Sequence, residues 1–480
     1  MKVLFVASEV TPFCKTGGLA DVAGSLPQAI AATGADVRVV VPLYEQVSAE
    51  WRRQMTFRTN ITVRLAWRNQ YCGIFEMAKD GVIYYFIDNK YYFDRRELYG
   101  HFDDGERYAF FSKACLDILP YIAFFPDVIH ANDWQSALIP VYLKLMYQGD
   151  SRYADIKTMF TIHNIQYQGR FDRSFLGDVI GLDERYFVNG LLEFDGGICL
   201  MKGAIHCADR VTTVSRTYAE EIRTAYYGHG LDPILCMEAH KVTGVVNGID
   251  TVTIDPMTDK SLFCNFGVET MDDKLVNKTE LQKLVGLNEN AETPLIAIVS
   301  RLAGHKGMDL IAAVGEELLA EDVQLVVLGK GEYAFEQFFK GLQERYPGKC
   351  SANILFSADL ANRIYAGADL FLMPSQSEPC GLSQMMAMRY GTVPIVRETG
   401  GLKDTVPAYN EFTGEGLGFS FANYNAHEML ETIRYALRTY QNKSAWKTLM
   451  TRDMTTDFSW SRSGAEYYAL YESMCEDKTE

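Results

Sequence analysis

The sequence has no uncharged apolar stretch approaching the ~18 residues that a membrane span needs, so the expected protein is soluble, with no membrane partner. Its first apolar run, Val3-Leu4-Phe5-Val6-Ala7, meets Ser8-Glu9 too soon to be the apolar region of a signal peptide, and a cytoplasmic location is expected. Basic residues are in deficit, with 46 Lys plus Arg against 62 Asp plus Glu and a net charge of -16. Such a chain repels polyphosphate, which excludes nucleic acid as a partner unless cations cluster locally. The ten cysteines form no Cys-x-x-Cys pair and the eight histidines no His-x-x-x-His pair, so reduced, mostly buried thiols and no metal site are expected.

What is present is a length of 480 residues at 48% hydrophobic content, enough for more than one domain. Continuous apolar runs, the mark of parallel strands buried on both faces, recur at 3–7, 37–41, 82–87, 128–130, 158–162 and 210–214, with helix-like stretches between most of them. After Asn247-Gly248-Ile249-Asp250 about forty polar residues follow, with one helix-like patch around Leu281. A second series then runs through 294–299, 323–328, 353–356, 369–373 and 393–396. The pattern predicts an α/β protein of two doubly wound halves in tandem, divided near residue 250. In such sheets ligands bind beyond the carboxyl ends of the strands, so a cleft lined by loops of both halves is expected.

Several strand-end segments carry polar residues. Lys15-Thr16-Gly17-Gly18-Leu19-Ala20-Asp21 leads into a helix-like run that Gly34 stops. Two glycines before a helix let backbone amides approach an anion, although the same residues also read as a tight turn with a solvated lysine. The lysine precedes the glycines, so this is not a Walker A loop. Arg301 and Lys306 share the glycine-containing segment Ser300 to Gly307, where a forked and a point cation can neutralise a diphosphate. Gly329-Lys330-Gly331 lacks the third glycine of the dinucleotide fingerprint, and neither half has that fingerprint at its first turn, which disfavours a nicotinamide oxidoreductase. Ser383 is a plausible N-cap of a short helix stopped by Gly391, which would aim the amides of Gly381, Leu382 and Ser383 at an anion. Glu378, one turn upstream, suits the hydroxyls of an attached sugar better than a phosphate, and Met385, Met386 and Met388 read as core. His163 and Asp133 also follow strand-like runs.

With these motifs in their order, 15–21, His163-Asn164, 247–250, 301–307, 378–382 and Thr399 to Val406, the chain resembles the glycosyltransferase family 5 enzymes, the glycogen and starch synthases of GT-B fold. The resemblance spans nearly the whole chain. It implies an N-terminal Rossmann-like domain over 1–250, joined by a C-terminal helix at about 460–480, and a donor-side domain over 251–459. It implies transfer of glucose from ADP-glucose to the non-reducing end of an α-1,4-glucan, glycogen or a malto-oligosaccharide, with retention of configuration and no cofactor or metal. The residues it makes catalytic are Glu378, His163, Arg301, Lys306 and Lys15. Donor contacts would come from Lys15, Gly18, Asn247, Arg301, Lys306, Phe356 (against adenine, where Tyr is frequent), Glu378, Gly381, Leu382 and Ser383, and acceptor contacts from Asp21 and Asp133.

A retaining glycosidase would need a second carboxylate ~5–5.5 Å from the first. No motif supplies one, and Met386 stands where related transferases with Glu-x₇-Glu have the second Glu. Where the family often has Trp-x-Pro, this chain has Ile254-Asp255-Pro256. The same motifs also suit a glycan phosphorylase of the same fold, which would need a lysine for pyridoxal phosphate, and a glucan-binding protein without activity. A homo-oligomer is left open.

Overall fold

The computed structural model describes residues 1–476. The chain divides into two compact units, residues 1–248 with 460 onward, and residues 249–459.

The first unit is built on a nine-stranded sheet. Its strands are β1 (Lys2–Val6), β2 (Asp36–Pro42), β3 (Thr56–Leu65), β4 (Arg68–Lys79), β5 (Val82–Asp88), β6 (Val128–Asn132) and β7 (Lys157–Ile162). A separate small antiparallel sheet holds β8 (Arg170–Phe171), β9 (Glu193–Phe194) and β10 (Gly197–Cys199), before β11 (Arg210–Thr213) and β12 (Val242–Gly244) complete the large one. The large sheet runs β12-β11-β7-β6-β1-β2-β5-β4-β3. It is parallel from β12 to β5, and β4 and β3 add an antiparallel edge. That edge hairpin escapes a search for continuous apolar runs because β3 alternates buried and exposed residues along Ile61 to Leu65, as a strand with one wet face does. The helix Trp460–Glu476 belongs to this unit: Ser463 donates to the Val246 carbonyl (2.7 Å), and the Tyr471 hydroxyl meets His130 Nδ1 (2.7 Å).

The second unit has one parallel sheet of β13 (Leu295–Val299), β14 (Gln324–Leu328), β15 (Cys350–Asn353), β16 (Leu370–Met373), β17 (Val393–Arg397) and β18 (Phe419–Phe421), in the order β15-β14-β13-β16-β17-β18. Successive side chains of a strand face opposite ways. Accordingly Ile296, Ile298, Leu325 and Val327 enter one apolar cluster, while Leu295, Ala297, Val326 and Leu328 enter another. Two buried faces explain why these strands read as unbroken apolar runs. One strand differs from its predicted place. The run at 353–356 is not the strand; β15 ends at Asn353, because Cys350 to Asn353 pair with Leu325 to Leu328, and Leu355 and Phe356 lie exposed beyond it.

Candidate active site

In the second unit three neighbouring parallel strands, β13, β16 and β17, deliver three loops to one edge. The loop after β13 carries Arg301 and Lys306 and ends at Gly307, before the helix Met308–Ala320. Gly307 has φ +77°, and a Cβ there would lie 2.1 Å from the Pro374 carbonyl oxygen, so only glycine lets this loop pack onto the segment after β16. Gln376 N–H donates to the His305 carbonyl (2.9 Å), closing the two loops together. Lys306 Nζ thereby reaches Glu378 Oε2 at 2.6 Å, and Ser375 Oγ donates to the same oxygen at 3.0 Å. Glu378 is 7% exposed. Gly400, which begins the helix after β17, has φ +45°, and a Cβ would sit 2.0 Å from the Glu378 carbonyl oxygen. The Gly400-Gly401 step is therefore the floor on which Glu378 rests.

Arg301 is exposed and forms no ion pair among the described residues. Burial and its cationic neighbours Lys306 and Arg301 lower the pKa of His305, which keeps that ring neutral. The short helix Ser383–Arg389 starts one residue earlier than its composition implies. Its N-cap is Leu382, with no side-chain cap bond, and Ser383 is the first helical residue rather than the cap. The Ser383 side chain instead hydrogen-bonds Tyr365. Among the described residues no side chain caps the first turn, the state in which a helix N-terminus attracts an anion. Buried Gln384 donates to the Gly381 carbonyl (2.9 Å) and to Thr405 Oγ1 (3.0 Å), which fixes the Gly381 turn. Phe356, three residues past the end of β15, is 90% exposed.

In the first unit the adjacent strands β7, β6 and β1 likewise end at one edge. Asp133 follows β6 with φ +56° and ψ 178°, a region that costs a non-glycine residue on the order of 1–3 kcal/mol. What holds it there is the turn after β7: Asp133 Oδ1 accepts from the His163 amide (2.8 Å), and the Asn164 amide bonds the same carboxylate. Burial, only partly offset by those amides, pushes the Asp133 carboxyl up to about 7. The His163 ring meets Asn132 Oδ1 through Nε2 at 2.9 Å. Asn132 Nδ2 donates to the Val6 (3.0 Å) and His130 (3.3 Å) carbonyls, so its oxygen must be the acceptor and His163 carries its proton on Nε2. Burial pulls the pKa of His163 down to about 3, so the ring is neutral and Nδ1 is an acceptor. Asn247 is 6% exposed, with its Oδ1 buried and without a hydrogen-bond partner among the described residues.

The Lys15 loop departs from expectation in one respect. The amides of Thr16 and Gly17 are not open to an anion, because both bond the carboxylate of Glu9. Lys15 Nζ bonds both oxygens of Asp21 at 2.6 and 2.8 Å, on the exposed side of the helix Gly18–Ala31. Sequence reasoning passed over Glu9, Asn132, Ser375 and Gln384. For Glu9 a signal existed, since it is a charged residue directly past an apolar strand.

The Asp133 shift sets a direction for stability. Below about pH 4 the carboxyl is protonated in folded and unfolded chains alike. Between about pH 4 and 7 only the folded chain keeps the proton, so stability falls as pH rises through that window, and the cost is complete above about pH 7. Asp133→Asn removes this term. Its melting midpoint relative to wild type is expected to rise from about pH 4 to about pH 8; a constant gap across that range would contradict the assignment.

Comparison with known proteins converges on one family. The starch synthase catalytic domain family matches residues 2–237, and the glycosyl transferases group 1 family matches residues 282–448. Glycogen synthases of Geobacillus thermodenitrificans and Geobacillus stearothermophilus are each 52% identical over 474 residues, covering 99% of this chain and 98% of theirs. The chain belongs to the glycogen and starch synthase family. The catalytic domain of Starch Synthase IV from Arabidopsis thaliana, bound to ADP and acarbose, superposes with a TM-score of 0.90 at 32% identity, covering 99% of both chains. Sucrose-phosphate synthase from Thermosynechococcus elongatus shares the fold, with a TM-score of 0.62 at 16% identity and 98% coverage of both chains. As a glycogen and starch synthase family member, the chain is a two-domain α/β glucosyltransferase of GT-B type, acting with a nucleotide sugar and a glucan.

Proposed function

We propose that this glycogen synthase family member uses ADP-glucose as donor, retains the anomeric configuration, works without a metal ion or other cofactor, and acts in the cytoplasm. The observation that carries the reading is the grouping at the ends of β13 and β16, where an exposed Arg301, without an ion pair among the described residues, stands on the same loop as a Lys306 already locked to Glu378. Two cations with uncapped helix amides suit a departing diphosphate, and one buried carboxylate suits the hydroxyls of the sugar it leaves. The donor class is supported by the ADP held in the Arabidopsis starch synthase IV structure.

The residues divide the work as follows. Arg301, Lys306, Lys15, Gly18 and the amides of Gly381, Leu382 and Ser383 take the diphosphate, and Phe356 stacks on adenine. Glu378 accepts from glucose hydroxyls. His163, neutral and with Nδ1 free to accept, and the orphan Oδ1 of Asn247 take further sugar hydroxyls. Asp21 and Asp133 serve the acceptor glucan. In the transfer step the bond from the anomeric carbon to the phosphate oxygen breaks, and its electron pair leaves with ADP. The acceptor hydroxyl oxygen bonds the same face of that carbon, and its proton passes to the departing phosphate.

Purified protein is expected to release ADP from ADP-glucose only when glycogen or a malto-oligosaccharide is present, at a rate that EDTA does not change. Release of UDP from UDP-glucose at a higher rate would overturn the donor assignment, and loss of turnover in EDTA would overturn the metal-free reading.

A further inference from the structure

Glu9 lies three residues past the end of β1 and is 3% exposed. Three donors converge on its Oε2: the Thr16 amide at 2.5 Å, Thr16 Oγ1 at 2.7 Å and the Gly17 amide at 3.2 Å. An ionised carboxylate withdrawn from water is costly unless it is fully bonded, and bonds to a charged acceptor are about twice as strong as neutral ones. The carboxylate also sits before the helix Gly18–Ala31, whose N-terminal pole favours a negative charge. Its placement is unusual, since it puts an internal anion beneath a loop whose lysine is assigned to an anionic substrate. The loop is pinned again one step away, where exposed Lys15 bonds Asp21. Glu9 thus uses up the amides of Thr16 and Gly17, and Lys15 and Gly18 are the groups of this loop left for a ligand.

We propose that Glu9 is a positioning residue of the glucosyl-transfer site, holding the Lys15-Thr16-Gly17 loop in the shape in which Lys15 meets the donor diphosphate. This rests on the reading of Lys15 as a donor contact. Glu9 itself touches no substrate; it acts through the loop. An Ala at this position frees two amides and lets Lys15 wander. A Gln presents one acceptor oxygen to the same three donors and retains most of the geometry.

The test uses the full-length protein with Glu9→Ala, Glu9→Gln and, as reference, Lys15→Ala, measuring the KM for ADP-glucose and for glycogen, ADP affinity by calorimetry, and the melting midpoint. Glu9→Ala is expected to raise the KM for ADP-glucose and the Kd for ADP about tenfold or more, the scale of a lost charge-assisted hydrogen bond, while the KM for glycogen stays within about twofold. Glu9→Gln is expected to recover donor affinity to within about threefold of wild type on the same scale. A merely structural role would lower the amount or melting midpoint of active enzyme and leave the donor KM in place, so that result overturns the proposal. Should Glu9→Ala not fold, Thr16→Val removes one of the three donors from an exposed side chain, and its expected effect is about a threefold rise in the Kd for ADP; an unchanged Kd overturns the proposal. If Lys15→Ala binds ADP as wild type does, the donor-contact reading itself fails. If Lys15→Ala weakens ADP and folded Glu9→Ala does not, the Glu9 proposal alone fails.

Discussion

Glu378→Ala is expected to lower kcat at least ~10²-fold while the protein stays folded, a loss equivalent to about 2.7 kcal/mol of transition-state stabilisation. Among the described residues this carboxylate is the one that pairs with Lys306, and both Ser375 and Lys306 point their protons at its Oε2. On the proposed reading, its removal takes away the acceptor of the donor hydroxyls together with the anchor of a cation. The cost to the fold is limited, because the Lys306 side chain keeps 20% of its exposure and water can reach it. Glu378→Gln separates the two roles, since an amide still accepts a hydroxyl but no longer balances the lysine charge. The check is steady-state turnover of ADP-glucose with glycogen, alongside a far-ultraviolet circular dichroism spectrum. A folded Glu378→Ala enzyme keeping more than about a tenth of wild-type kcat would mean that another group holds the donor sugar.

Arg301→Ala and Lys306→Ala are both expected to reduce kcat/KM by ~10²–10³, the usual consequence of losing one preorganised donor to a developing negative charge. Their effects on stability should diverge. Arg301 is exposed and without an ion pair among the described residues, so its loss should leave the melting midpoint nearly unchanged. Lys306 is the counter-ion of a carboxylate only 7% exposed, and truncating it strands that charge. Lys306→Ala should therefore melt measurably lower than wild type. Melting curves of both variants with initial rates at varied ADP-glucose decide the matter: equal midpoints would show that the Lys306–Glu378 pair carries no stability, and an Arg301→Ala enzyme with unchanged kcat/KM would remove that cation from the site.

The contrast between these two cations shows where sequence reading stops. Arg301 and Lys306 were recognisable as neighbours on one loop, and Glu378 as a carboxylate near a helix start. That Lys306 turns to Glu378 while Arg301 does not is decided by Gly307 packing on Pro374 across two strands, a contact between residues 67 apart in the chain. By residue type Ser383 is a good N-cap, yet it spends its side chain on Tyr365 and the helix begins one residue earlier than that type implies. The β3–β4 hairpin leaves no continuous apolar run because one face of β3 is wet, and β15 lies three residues before the more apolar tetrapeptide, 353–356, because that tetrapeptide is not the one that pairs with β14.

By itself the sequence determined the α/β class, most of the buried strands and the identity of the charged groups at their ends. Those depend on local apolar runs, and a strand buried on both faces cannot be written any other way. Only the tertiary structure decided which charges are spent on one another and which remain for a ligand. Glu9 closes on Thr16 and Gly17, Asn132 sets the proton of His163, Lys15 and Lys306 each rest on a carboxylate, Asp21 and Glu378, and Arg301 has no ion pair among the described residues. The contacts of Glu9 and Lys15 close within one loop, whereas those of His163 and Lys306 depend on distances of a few ångströms between segments 31 and 72 residues apart, set by how parallel strands line up their ends.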